Sequence, residues 1–315
     1  MSARVRTFAR RSSPAAYVLA YHAVQRRVSD PALDRYALDV STFRQHLRFL
    51  KKCRKPIRLS ELVDALSNRR TLDPRWCVLT FDDALQSQTT IAAEELAGEG
   101  FPWALAVPAG SVESRQPVWT YALRLLLLEH WREPTIPHPT SGDVVLPTGR
   151  SERAQAIDAI VRWLRDTASG EQRARYVDGL RATFGAARFD DCVAADGRFM
   201  PAQWSAIRAL ADGGVELLAH GFDHYPLNAN LEPQFRHREI VDSKALIEQR
   251  TGMKVAGFVL PNGIADATVR SEIQQAGYAA CLTSQAMAVT GETDRFSIGR
   301  LDADCPLEIL RLQLS

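Results

Sequence analysis

Short, nearly continuous apolar runs recur along the chain at residues 16–21, 77–81, 101–107 and 215–219. Runs of that length without polar alternation predict strands buried on both faces, as in parallel sheets. Segments with apolar residues at helical spacing lie between them. Residues 42–52 place Phe43, Leu47, Phe49 and Leu50 on one broad side, with Ser41 as N-cap. Residues 24–40 are polar and read as a loop, 56–59 as a short strand and 60–66 as a second capped helix. A helix over 92–97 is closed by Gly98-Glu99-Gly100, and another runs from about Pro201 to Ala211 before Asp212-Gly213-Gly214. The alternation predicts an α/β fold with a parallel sheet and right-handed crossovers, open or closed into a barrel.

Residues 111–199 break this rhythm. Two amphipathic helices, 121–130 and 154–164, flank a Pro/Thr/Gly-rich stretch at 134–149, and no comparable strand signal returns until Val215. The expectation is one catalytic domain over 16–315 carrying a helical insertion at about 111–199. That insertion is read as a lid, a substrate-selecting element or a plain structural cap. Residues 1–15, with Arg4, Arg6, Arg10 and Arg11, are expected to form a basic flexible N-terminus.

Composition narrows the class without naming a function. Apolar residues make up 46% of the 315 and charged residues 24%, which are ordinary globular values. A net charge of +2 with no basic stripe argues against nucleic acid. The five cysteines (53, 77, 192, 281 and 305) are odd in number and contain no CxxC, which favours reduced thiols. The first apolar run is too short for a signal-peptide core, and no run approaches a transmembrane span. A soluble cytoplasmic protein is therefore expected.

Two places carry candidate chemistry. The strand at 77–81 stops at Asp82-Asp83-Ala84. Ligands bind beyond the C-terminal ends of such strands, and two desolvated acids call for a metal ion or a proton-transfer task; capping of the next helix by one of them is an equally open reading. The strand at 215–219 ends at His220-Gly221-Phe222-Asp223-His224. Histidines four apart can aim at one point, and two His with one carboxylate suit zinc or another divalent transition metal. An HxxxH pair alone is weak; its placement at the end of a second buried strand strengthens it.

Taken in order, Tyr21-His22, Thr80-Phe81-Asp82-Asp83-Ala84 and His220-Gly221-Phe222-Asp223-His224 resemble the motifs of the polysaccharide deacetylases. This is the NodB-homology, carbohydrate esterase 4 family. Arg238–Lys244, Phe258–Gly263 (the third motif) and Gln275–Ala280 extend the similarity, which covers roughly 16–110 and 200–303. The resemblance implies a distorted (β/α)7 barrel and metal-dependent removal of an N-acyl group, usually N-acetyl, from an amino sugar. It also implies Asp83, His220 and His224 as metal ligands, and Asp82 as the general base toward a metal-bound water. The oxyanion donor would be a backbone N–H at Asn262. Zinc is the first expectation for the ion, with cobalt, nickel or manganese as alternatives.

The chain also departs from the family pattern. Ala84 stands for the usual Gly, where a positive φ would be strained, although a small side chain still lets substrate approach closely. Gly221 stands for Ser or Thr. The arginine that holds the catalytic Asp and the late Leu-x-His acid are both missing. His22 and Arg300 are candidates for those two roles, with core histidine and structural arginine as the bland alternatives. The expected substrate is an N-acylated amino sugar, sugar nucleotide or lipid-linked glycan. The rival readings are an inactive glycan-binding descendant and a deformylase or O-deacetylase.

Overall fold

A computed structural model of the chain describes residues 15–138, 140, 142–263 and 266–315. Arg4, Arg6, Arg10 and Arg11, and with them almost all of the expected basic N-terminus, lie outside the described residues.

Seven parallel strands form the central sheet: β1 Tyr17–Tyr21, β2 Trp76–Phe81, β3 Ala104–Val107, β4 Glu216–Ala219, β5 Gly257–Val259, β6 Ala280–Leu282 and β7 Leu301–Asp302. Their lateral order is β6-β5-β4-β3-β2-β1-β7, and the two-residue strand Lys55–Pro56 pairs beside the start of β2. Sequence order and lateral order thus coincide, with the last strand beside the first. The other edge is closed by the same stretch of chain. Ile298, just before β7, bridges Leu282 of β6, and its amide donates to the Cys281 carbonyl at 3.0 Å. Residues 298–302 therefore touch both edges and curl the sheet into a barrel, as expected for the (β/α)7 class.

Val18, Val78, Ala104, Ala106, Leu218, Val259, Ala280, Leu282 and Ile298 pack into one buried cluster that fills the barrel. Side chains of a strand alternate faces with a period of two. Counting on from that cluster, the period carries Thr80 and Asp82 from Val78, His220 from Leu218, and Arg300 from Ile298 to the same inner side at the C-terminal end. The opposite faces of β1–β4 pack on Phe43, Leu47 and Leu50 of the helix Val40–Cys53, within a second cluster that includes Leu19, Leu79, Phe81, Leu105 and Leu217.

The structure moves several expected boundaries. Residues 24–40 are not wholly loop, because Ala23–Gln25 and Ala37–Asp39 pair as short parallel strands. The first helix begins at Val40, capped by Asp39 accepting from the Ser41 amide, so Ser41 is not its cap. The second helix is Leu59–Ser67, whose first amides, Leu59 and Ser60, donate to the Glu216 carboxylate from the start of β4. Within 111–199 lie the helices Trp119–Leu125, Arg150–Asp166, Gly170–Phe184 and Ala186–Asp196. An antiparallel hairpin, Thr135–His138 with Gly142–Val145, also lies there, in the stretch where no strand was expected. Its Pro and Gly content masked the strand pattern. Among the described residues no helix is long and apolar enough to cross a membrane.

Candidate metal centre

β2 runs straight into its two carboxylates. Asp83 and Ala84 both adopt left-handed backbone, at φ 73° and 46°, a conformation that costs non-glycine residues about 1–3 kcal/mol each. The surroundings impose it. Gln88, fully buried on the following π-helical turn, accepts from the Leu85 amide through its side-chain oxygen and donates to the carbonyls of Asp82 and His22. The Ala202 amide donates to the Ala84 carbonyl at 2.8 Å. This sharp turn breaks the strand's alternation and lets adjacent acids enter one site.

The two histidines meet through a loop rather than a helix, with Gly221 at φ 78° and His224 at φ 59°. Glu239, wholly buried, holds that loop by accepting from the amides of Phe222, Asp223 and Tyr225 at 2.9, 2.9 and 3.2 Å. A Cβ at position 221 would overlap Glu239 Oε2. The glycine that replaces the family's Ser or Thr is thus the residue this buttress requires.

The metal-binding atoms of Asp83, His220 and His224 all lie within 4.8 Å of one another. Asp83 Oδ1 stands 3.6 Å from His220 Nε2 and 3.4 Å from His224 Nε2, and the two Nε2 atoms are 3.2 Å apart. Burial pushes both imidazoles down to about 4, so they are neutral near pH 7. His220 Nδ1 lies 2.9 Å from the Val259 carbonyl, which only accepts, so Nδ1 carries the proton and Nε2 points a lone pair inward. Asp83 Oδ1 is buried with no hydrogen-bond partner. An orphaned anionic oxygen beside imidazole lone pairs is a donor set that a divalent cation satisfies, so the residues fit the expected ion.

Asp82 is set apart from Asp83 by its partner. Arg300 grips it with two hydrogen bonds, 2.7 and 2.8 Å, and also donates to Thr80 Oγ1 and the Thr283 carbonyl. Burial would raise the Asp82 carboxyl, but the charges of Arg300 and His220 outweigh it and hold the group well below the usual carboxylate range. Asp83, without such a partner, is raised by burial. The same fold thus keeps one acid as a paired anion and leaves its neighbour short of counter-charge.

His22, at the end of β1, places Nε2 3.8 Å from Asp82 Oδ2 and Nδ1 2.7 Å from Asp304 Oδ2. Burial opposes its protonation, but the Asp304 hydrogen bond and the surrounding carboxylates raise it to about 10. Asn262 sits at φ 60° in the turn Pro261–Gly263, with its side-chain nitrogen buried and without a hydrogen-bond partner. A cavity of about 240 Å³ gathers His22, Asp82, Asp83, His220, His224, Asn262 and Arg300 on its walls. Ala84 is the exception. It is fully buried in the hydrophobic core and absent from that lining, because the turn points its methyl inward, so it does not border a substrate.

Sequence reasoning missed Asp304, Glu239, Gln88 and Tyr121. Asp304 was open to the logic that found Asp82, an acid just past a strand. The others had no signal, since their roles depend on long-range packing.

The family model described as polysaccharide deacetylase matches residues 182–281, a span that holds both histidines and the third motif. It begins inside the stretch expected to lie outside the resemblance and does not include Asp82 and Asp83. Among solved structures, a deacetylase from Streptococcus pyogenes called PplD, in complex with acetate, aligns with a TM-score of 0.61 at 14% identity. The alignment covers 96% of this chain and 98% of that one. The chain carries the polysaccharide deacetylase fold. IcaB from Ammonifex degensii aligns at 0.60 and 18% identity, covering 96% of each chain. A de-N-acetylase from Aggregatibacter actinomycetemcomitans aligns at 0.56 and 15%, covering 95% of this chain and 99% of the other. No curated protein matches the chain.

Proposed function

We propose that this chain is a metal-dependent hydrolase that removes an N-acyl group, N-acetyl first, from an amino sugar. One observation carries the reading: a metal-type triad and a separately ion-paired carboxylate share the wall of one cavity at the strand C-termini. The family match over 182–281 and the de-N-acetylase among the structural neighbours support it.

Amide hydrolysis needs a strong nucleophile, stabilisation of the carbonyl oxygen and a proton for the leaving amine. A divalent ion, zinc first, held by Asp83, His220 and His224 supplies the positive charge for the first two. Asp82, ionised by its Arg300 pairing, accepts the proton from the attacking water. His22, held by Asp304 and one-fifth exposed at its side chain, donates a proton to the leaving nitrogen. The Asn262 turn contributes donors toward the oxyanion. Arg300 and His22 occupy the two positions that the sequence pattern had left without residues, so the chemistry has every group it needs. The acceptor is an N-acylated sugar, free, nucleotide-linked or lipid-linked.

The test is to purify the protein, determine its metal content and assay amine release from a panel of N-acetylated and N-formylated sugars. Asp82→Asn should keep the metal and lose turnover. Full activity in that variant removes Asp82 from the base role. Saturable sugar binding without turnover under any divalent metal leaves only the glycan-binding reading.

A further inference from the structure

The helix Trp119–Leu125 belongs to the stretch expected as an insertion, yet it touches both elements that carry the metal-type ligands. The Tyr121 hydroxyl hydrogen-bonds the Asp83 carboxylate. Two residues earlier, Trp119 Nε1 donates to the His224 carbonyl at 3.1 Å. Residues i and i+2 diverge on a helix, so the helix end reaches the two ligand loops with different sides. Both rings are fixed. Tyr121 stacks on Phe199 with centroids 4.2 Å apart and meets the edge of Tyr36, and both Tyr121 and Trp119 are buried.

The consequences follow from the strain described above. Asp83 and His224 each sit at positive φ, where the backbone alone prefers another conformation. Asp83 Oδ1 is left unpartnered facing the imidazoles while the Tyr121 hydroxyl engages the same carboxylate. A hydrogen bond of this kind fixes the rotation of a ligating carboxylate, and losing such a bond typically costs 10–100-fold in metal affinity.

We propose that the helix Trp119–Leu125 is a working part of the metal centre, with Tyr121 as a positioning residue for Asp83 and Trp119 as one for His224. The inference rests on reading Asp83, His220 and His224 as ligands. It assigns the segment 111–199 a task beyond covering the barrel. It also explains why Tyr121 lines the same cavity as the ligands it serves.

The experiment measures zinc affinity by chelator competition, and thermal stability of the metal-free protein, for the wild type, Tyr121→Phe and Trp119→Phe. The Phe at 121 keeps the stack on Phe199 and deletes only the hydroxyl. Tyr121→Phe is expected to weaken zinc about 10-fold or more, with metal-free melting little changed, and to shift the visible spectrum of the cobalt form. Trp119→Phe is expected to weaken zinc in the same direction. Wild-type affinity in Tyr121→Phe, or weakening matched by a collapse of metal-free stability, overturns the assignment to Tyr121. Wild-type affinity in Trp119→Phe overturns that to Trp119. Failure of the wild type to bind any divalent ion sinks the functional reading itself, a distinguishable outcome.

Discussion

Arg300 holds Asp82 through both carboxylate oxygens, although 218 residues separate them. Removing one member of a buried pair leaves an uncompensated charge, at about 3–5 kcal/mol. Arg300→Met should therefore lower the melting temperature by several degrees, and Arg300→Lys should recover little, since an ammonium cannot make the two-pronged contact. The sign of the pH effect follows from the lowered Asp82 carboxyl: it stays ionised to lower pH than a free carboxylate. In Arg300→Met burial wins and the carboxyl rises, so the acid limb of the rate profile should move to higher pH. An unmoved limb separates Arg300 from the base.

Asp304 does for His22 what Arg300 does for Asp82. His22 is raised to about 10, so its proton is retained through neutral pH and lost as pH passes that value. Asp304→Asn removes the anion that opposes burial, and the alkaline limb of activity should fall toward neutrality. His22→Gln should abolish the limb along with most of the rate. A rate profile unaltered in Asp304→Asn would remove His22 as the acid.

At the histidine loop, Gly221→Ser restores the family's usual residue and should still be damaging. Its Cβ would overlap Glu239 and its φ of 78° is unfavourable for serine. Loss of metal affinity together with a melting point several degrees lower is expected. Glu239→Gln, which offers an amide where three backbone donors need acceptors, should weaken metal binding as well. Normal metal affinity in both variants would show that the loop needs no buttress.

Ala84→Gly should behave unlike an ordinary alanine-to-glycine change. In the helix Ala93–Glu99, Ala97→Gly should cost roughly 0.5–1 kcal/mol. At φ 46° the strain relieved in Ala84→Gly offsets that entropy, so denaturant midpoints should stay near the wild type. Ala84→Val should fail badly in the filled core.

His46 supplies a pH test away from the cavity. Buried, with its Nδ1 3.3 Å from the Tyr21 hydroxyl, it is pushed down from 6.5 to about 4. The neutral form is the one that folds, so stability is fully present above pH 6.5 and falls as pH drops toward 4, by up to roughly 3 kcal/mol. His46→Leu should flatten the stability profile over that range in metal-free protein. An unchanged slope would place the acid sensitivity elsewhere.

The barrel was legible because buried parallel strands write themselves as apolar runs, and 77–81 and 215–219 each ended where β2 and β4 do. Asp82, Asp83, His220 and His224 were legible because each follows such a run directly. Thr135–His138 and Gly142–Val145 were not, since proline and glycine blurred their pattern and they pair only with each other. The partnerships escaped for a different reason. Glu239 with its three amides, Tyr121 with Asp83 and Asp304 with His22 join distant stretches, and no local periodicity encodes which buried polar group meets which.

The run 298–302 that seals the barrel also carries Arg300, and Asp304 follows within two residues of its end. A chain emerging from the ribosome therefore makes its entire metal-type triad, and the base and acid themselves, well before it makes the residues that tune them. An intermediate lacking only the final strand would hold Asp82 and His22 without their counter-charges, as a half-built cup able to grip an ion but poorly set for proton transfer. Catalytic competence and barrel closure then arrive in one event, so that turnover itself reports that the last strand has docked.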